Sequence, residues 1–341
     1  MPTIPNLKNE LPHLVILGAG ASLAAFPEGD KNGKALPLMS SLFTDLNLTN
    51  TLKKSHVNSF DNFEILYEAI NNDPSKKKLQ ITLEEKISRY FYGMKILSTP
   101  TLYDYLILSL RKKDVIATFN WDPLLLQSAR RHKKYKDHLP AILFLHGNVA
   151  VGICSSCNIM GYKYNKRCHR CLKTFESMPL LYPVGKKKYS DDKNISNAWS
   201  DLAISLKQAY YVTIFGYSAP VSDFDAKTLM TKSFNKNKSH EFSQVEIIDI
   251  KPEPEITDNW RDFFYHHHYD VMDNFNKSQL WWHPRRSCEA HASALLMNSP
   301  WPYDPFPLFN SISEMHDWIN PFINEEKKHG KEGIELSSCK H

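Results

Sequence analysis

Apolar and polar positions along the chain fall into two alternating patterns. The run LVILGAGASLAAF, residues 14–26, starts as four consecutive apolar residues, breaks at Gly18 and Gly20, and resumes with helical spacing. A short apolar run closed by glycine predicts a buried strand at 14–17 that turns directly into a helix. The motif recurs at 115–118 in KDVIATFNWD, 142–145 in AILFLHG, 211–215 in YYVTIFGYS and 245–249 in QVEIIDIKP. Runs this short and this apolar fit parallel strands covered on both faces. Between them, segments 122–134, 195–209 and 223–234 carry apolar residues at helical spacing. Strand and helix alternate, so the predicted class is α/β with a doubly wound, parallel, Rossmann-like sheet.

Two segments interrupt the alternation. Residues 30–111 are Asn- and Lys-rich, and FDNFEILYEAINN and TLEEKISRYFYGMKIL place apolar residues three to four apart, which predicts a helical insertion. Residues 151–177 form a cysteine-rich ribbon. The predicted organisation is a discontinuous sheet domain (1–29, 112–150 and 178–254), the insertion, the ribbon, and a C-terminal region at 255–341. That last region is aromatic and proline-rich (WWHPRR, WPYDPFPLF) and ends in a charged tail expected to fray.

Composition changes the picture little. The 341 residues carry a net charge of +5, and 42 % are hydrophobic, enough for one large core or two modest ones. Outside the lysine clusters 76–78 and 186–188 the positive excess is scattered, which points to a solvated surface and not to nucleic acid. The sequence has neither a signal-peptide layout at 1–10 nor an apolar stretch of membrane-spanning length, so a cytoplasmic location without membrane contact is expected.

Cysteine spacing is more informative. Cys154, Cys157, Cys168 and Cys171 form two CxxC pairs ten residues apart in CSSCNIMGYKYNKRCHRC, while Cys288 and Cys339 stand alone. Two such pairs set four thiolates on two tight turns that can converge on zinc, with His169 an unneeded ligand. Four sulfur ligands make a closed, structural site. Two disulfides are the alternative, disfavoured in a reducing compartment. The YHHHY stretch at 265–269 is read as surface or structural, because adjacent histidines diverge on a helix or a strand.

Ligands of an open α/β sheet sit beyond the carboxyl ends of its strands. The candidates are therefore Gly18, Gly20 and Ser22; Asn120 and Asp122; His146 and Gly147; Gly216 and Ser218; and Asp249. Glycines after the first strand let backbone N–H groups approach a pyrophosphate at a helix N-terminus, or they serve only a steric need of the turn. Asn120, Asp122, Ser218 and Asp223 equally suit helix capping, and His146 and Asp249 suit turns. Their shared position after successive strands favours a ligand site.

GAGAS, TFNWD, LHG, the two CxxC pairs and GYS, in that order on this scaffold, resemble the sirtuin family over about residues 14–249, apart from the insertion. The resemblance implies an NAD-binding fold in which Gly18, Ala19, Gly20 and Ser22 cradle the phosphates. It further implies that Asn120 sits by the nicotinamide ribose, Asp122 holds the nicotinamide amide and His146 is the general base. Gly216 and Ser218 would line the phosphate and adenosine side, and Asp249 would take the adenosine ribose hydroxyls.

Two departures bear on subtype. Sirtuins carry a Gly-Ile-Pro-Asp-Phe-Arg type loop where this chain has FPEGDKNGKALPLMSSLF, and a peptide-pairing Phe-Gly-Glu type segment where it has PLLYPVGKKKY. TFNWD and FGYSAPVSDFD look more like the sirtuin-like domains of bacterial antiphage systems. That resemblance implies an NAD+ hydrolase releasing ADP-ribose and nicotinamide, with NAD as substrate and zinc as a structural ion. It also implies a conditional activity, triggered by homo-oligomerisation or a partner protein. An NAD-dependent protein deacylase and a non-catalytic NAD or ADP-ribose sensor are the alternative readings.

Overall fold

The computed structural model describes residues 11–54, 62–184, 189–220, 223–264, 266–297 and 300–329. The lysine cluster 186–188, Tyr265, the first ten residues and the charged tail lie outside them. Among the described residues the main sheet has six strands: β1 (His13–Leu17), β2 (Val115–Thr118), β3 (Ala141–Phe144), β7 (Tyr211–Phe215), β8 (Gln244–Ile248) and β9 (Tyr269–Met272). Their order is β3-β2-β1-β7-β8-β9, and every neighbouring pair is parallel. From β1 the chain builds outward through β2 and β3, then returns to β1's other edge with β7. The strand order therefore reverses between β1 and β7, which is where open sheets of this kind leave a crevice.

The strands form where they do because their residues are wanted on both faces. All five residues of β1 and of β7 are buried. Side chains alternate along a strand, so Val15 and Leu17 enter one helical layer while Leu14 and Ile16 enter the other. The second layer is built from Trp199 and Leu202 of helix Lys193–Leu206, Met230 and Phe234 of helix Phe224–Phe234, and Trp260. The first layer is the insertion itself: Phe63 and Leu66 of helix Phe63–Asn71, Leu83 and Ile87 of helix Lys77–Tyr92, and Tyr103 of helix Leu102–Leu108. Met315 and Ile319 of the last helix, Ile312–His329, complete it.

Boundaries shift from expectation for local reasons. The helix expected at 122–134 runs only Leu124–Arg131 and continues as a tighter 3-10 turn, Lys133–His138. The helix expected from 195 starts at Lys193 because Asp192 accepts hydrogen bonds from the amides of Asn194 and Ile195. Strand β9 was not signalled. It is an edge strand, YDVM, and its exposed Asp270 interrupts the apolar pattern.

A smaller antiparallel sheet of β4 (Val151–Cys154), β5 (Ile159–Tyr162) and β6 (Glu176–Ser177), in the order β5-β4-β6, forms the ribbon. Gly152 and Gly161 make room for the Phe175 side chain, which a Cβ at either position would meet within 2.6 Å. No described helix is long and apolar enough to cross a membrane.

Candidate active site and metal centre

The first functional contact is between two loops. A Cβ on Gly18 would lie 2.4 Å from the Gly216 carbonyl oxygen, and one on Gly20 would lie 2.8 Å from the Gly216 Cα. Gly216 has a φ of +60°, and its own Cβ would meet the Ala21 nitrogen at 2.2 Å. The turn after β1 is thus pressed against the turn after β7, closing the floor of the crevice with backbone alone. The Gly20 amide donates to the Gly216 carbonyl at 2.9 Å. It is committed within the protein, so the steric reading of these glycines holds, and only the remaining amides at the start of helix Ala19–Ala25 are candidates for a phosphate.

Above that floor the structure gathers Ser22, Asn120 and Asp122. The Asn120 Nδ2 donates to the Gly18 carbonyl at 2.8 Å and to Ser22 Oγ at 2.9 Å. Ser22 Oγ in turn donates to Asp122 Oδ2 at 2.7 Å. Because Gly18 offers a carbonyl, the Asn120 atom facing it is the nitrogen. Both Nδ2 hydrogens are therefore engaged, and Asn120 has its Oδ1 to offer a ligand. Asp122 is fully buried, which pushes its carboxyl pKa up, while the bonds from Ser22 and the Leu124 amide pull it back. Its Oδ1 also accepts from the Leu124 amide at 2.9 Å, an Asx turn ahead of a helix whose N-cap is Pro123.

Sequence reasoning missed two members of this cluster. Tyr103, from the insertion, is fully buried and has its hydroxyl 2.6 Å from Ser22 Oγ and 3.3 Å from Asn120 Nδ2. Asn148 donates to the Asp122 carbonyl at 2.6 Å and accepts from the Ala150 amide, holding the TFNWD turn from below. The repeated HGN and NWD polar turns after strands were a usable signal for Asn148. Tyr103 sits in an apolar helix, TLYDYLIL, and carried none.

His146 follows β3 and is 6 % exposed. Phe119 meets its ring edge-on at 4.7 Å between centroids, and Phe119 stacks on Tyr217 at 4.1 Å. The His146 Nε2 lies 3.9 Å from Asp223 Oδ1, and the Tyr217 hydroxyl donates to Asp223 Oδ2 at 2.9 Å. Asp223 precedes its helix without capping it through the side chain. Gly147 has a φ of +81°, and a Cβ there would strike the Pro179 carbonyl at 2.0 Å. The segment after the ribbon is seated on this turn: the Leu181 amide donates to the His146 carbonyl, and Tyr182 lies between Trp121 and Tyr67.

The remaining candidates are more peripheral. Ser218 is exposed, and it is its neighbour Tyr217 that enters the core. Asp249 follows β8 half-buried, and its Oδ1 accepts from the Lys251 amide at 3.1 Å, which is a turn role.

The four ribbon cysteines converge. Their sulfurs all lie within 4.8 Å of one another, and Cys154 and Cys171 are 3.4 Å apart, too far for a disulfide and near the edge of a zinc–thiolate tetrahedron. Each CxxC is followed by a left-handed residue, Asn158 at φ +52° and Leu172 at φ +62°, which turns the chain back toward the cluster. Amide hydrogen bonds from Cys171 and Arg170 lower the Cys168 thiol, toward the thiolate a metal takes, whereas burial raises Cys154 and the hydrogen bond with Cys171 raises Cys157. The donor set fits a tetrahedral zinc ion with no open position. His169 is exposed and outside the cluster, and among the described residues no other such group of ligands occurs.

No family model and no curated protein matches this chain. Similar solved structures include one described as "Structural Basis for the Mechanism and Regulation of Sir2 Enzymes", at 14 % identity and a TM-score of 0.42 over 85 % of this chain and 95 % of that one. A Sir2 homologue mutant–ADP ribose complex matches at 11 % identity and a TM-score of 0.43, covering 85 % and 95 % of the two chains. A "Sir2-p53 peptide-NAD+" structure matches at 13 % identity and a TM-score of 0.36, covering 79 % and 90 %.

Proposed function

We propose that this chain is a sirtuin-like NAD+ hydrolase. The observation that carries the reading is the buried polar cluster of Ser22, Asn120 and Asp122 at the carboxyl ends of β1 and β2, beside the crevice between β1 and β7, with His146 after the next strand, β3. In this reading the pyrophosphate lies at the start of helix Ala19–Ala25, beside Gly18 and Gly216. Asp122 receives the nicotinamide amide. The bond between ribose C1′ and the nicotinamide nitrogen breaks with both electrons leaving on nicotinamide, which needs no proton because it departs neutral. The ribosyl cation is stabilised by the fixed oxygens around it. Water adds to C1′, oriented by Asn120 Oδ1, and loses its proton to His146. The product is ADP-ribose.

Hydrolysis is favoured over acyl-lysine chemistry by the segment after the ribbon. Pro179 and Leu181 are packed on the His146–Gly147 turn and Tyr182 fills the space beside Trp121. Chain that would otherwise be free to pair with a substrate peptide is folded against the protein. Incubation with NAD+, with and without an acetylated peptide, tests the reading by chromatography. ADP-ribose and nicotinamide in equal amounts, independent of peptide, are expected; acetyl-ADP-ribose formed only with peptide would establish a deacylase instead, and binding without turnover a sensor.

A further inference from the structure

We infer that Tyr103 is a positioning residue for the nicotinamide end of the site, supplied by the helical insertion through a hydrogen-bonded chain from Tyr103 to Ser22 to Asp122. The inference rests on the reading that Asp122 holds the nicotinamide amide. Its basis is proton bookkeeping. Ser22 Oγ has one hydrogen and three close partners: Asp122 Oδ2 at 2.7 Å, Tyr103 OH at 2.6 Å and Asn120 Nδ2 at 2.9 Å. An ionised carboxylate only accepts, so the serine hydrogen goes to Asp122. The Tyr103 hydroxyl then donates to Ser22, as does Asn120. Every hydrogen in the cluster has one direction.

That direction matters because Asp122 is fully buried and burial favours its neutral form. A serine hydroxyl that itself accepts two hydrogen bonds is a stronger donor, so Tyr103 helps hold Asp122 ionised and in one rotamer. Tyr103 does this from a fixed base. Its ring is enclosed, with Phe26 edge-on at 5.8 Å between centroids, and the neighbouring Thr101 and Asp104 form a capping box that starts its helix. Asp104 is gripped in turn by Arg131 and by His132 at 2.9 Å. The insertion thus enters the site with one hydroxyl on a rigid helix.

The test is Tyr103→Phe in the full chain, which removes one oxygen and keeps the ring. ADP-ribose, which lacks nicotinamide, is titrated by calorimetry, and NAD+ turnover is followed by chromatography. The expected result is a kcat/KM for NAD+ lowered ~3- to 10-fold, the range of one hydrogen bond, with ADP-ribose affinity changed less than about twofold. In NAD+ turnover the Tyr103→Phe, Ser22→Ala double variant should lose little beyond Ser22→Ala alone, because Tyr103 acts through Ser22. Equal weakening of both ligands, no change in either, or additive losses in the double variant would overturn the inference while leaving the NAD+ reading standing. A wild-type protein that binds neither compound overturns both.

Discussion

At the scale of single residues, the glycines carry a structural demand that the ligand reading alone does not express. Gly216→Ala would place a methyl 2.2 Å from the Ala21 nitrogen in a left-handed conformation. The conformation alone costs ~1–2 kcal/mol, and the clash forces the β1 and β7 turns apart. A melting temperature lowered by at least about 5 °C is expected, together with loss of ADP-ribose binding; an unchanged melting curve would contradict the packing described. Asn120 and His146 separate in a similar way. His146→Gln, which keeps a polar side chain of similar reach in that buried place, should lower NAD+ turnover by at least ~100-fold, the usual weight of a general base, with little change in melting. Asn120→Ala should lose turnover and also melt lower, because it strands the Gly18 carbonyl in a buried site at ~1–3 kcal/mol. Parallel turnover and melting assays on the two variants check the contrast. Most of these residues were legible because they follow strands. Tyr103 was not, since its partners lie 81 and 17 positions away and only the folded insertion brings them together.

At the scale of elements, strands buried on both faces announce themselves as apolar runs, and β9 does not because the exposed Asp270 breaks its four residues, whereas the other edge strand, β3, is apolar throughout. What the apolar pattern hides is a polar line across the sheet. The His13 Nδ1 lies 2.7 Å from Ser287 Oγ and its Nε2 lies 2.8 Å from Thr213 Oγ1, which is 3.0 Å from Glu246 Oε2. All four are buried, and burial raises Glu246 to about 7. A raised carboxyl holds its proton in the folded state after the unfolded chain has lost it, so stability falls as pH rises from 4.5 to about 7. The full effect is ~3 kcal/mol. Histidines act with the opposite sign: burial lowers His283, His291 and His316 to about 4, and these cost stability as pH falls below 6.5. Stability should therefore peak near neutrality. Glu246→Gln, which mimics the protonated carboxyl by keeping an Oε1 acceptor for the Gln279 amide and offering an Nε2 donor to Thr213 Oγ1, should be more stable than the wild type at pH 8 by ~1–3 kcal/mol and about equal to it at pH 4.5. Urea unfolding at the two pH values decides this; equal destabilisation at both would show that Glu246 is ionised at no cost.

At the scale of the whole molecule, the ribbon and the crevice are one mechanical unit, although they looked separable as sequence. The ribbon leaves the sheet directly after His146 and Gly147, and its root is fastened to the TFNWD turn by the Val149 amide on the Trp121 carbonyl and by Asn148 on the Asp122 carbonyl. Its return strand leads to the Leu181 amide, which holds the His146 carbonyl. His146 is thus braced by chain entering and leaving the ribbon. The ribbon's own apolar core is little more than Phe175 against the cysteines, too small to fold without a metal, whereas the two clusters flanking the sheet are large and draw only Val151 and Ile153 from its root. Removing the metal should therefore unfold the ribbon first and release His146 before the sheet is affected. We predict about one zinc per chain by elemental analysis. Stripping it with a strong chelator should lower NAD+ turnover at least tenfold while far-ultraviolet circular dichroism retains most of its helical signal. Cys154→Ser should reproduce the loss without chelator. Full turnover in metal-free protein would show that the brace on His146 does not depend on the ribbon, and a collapse of the helical signal together with activity would show that ribbon and sheet fold as a single cooperative unit.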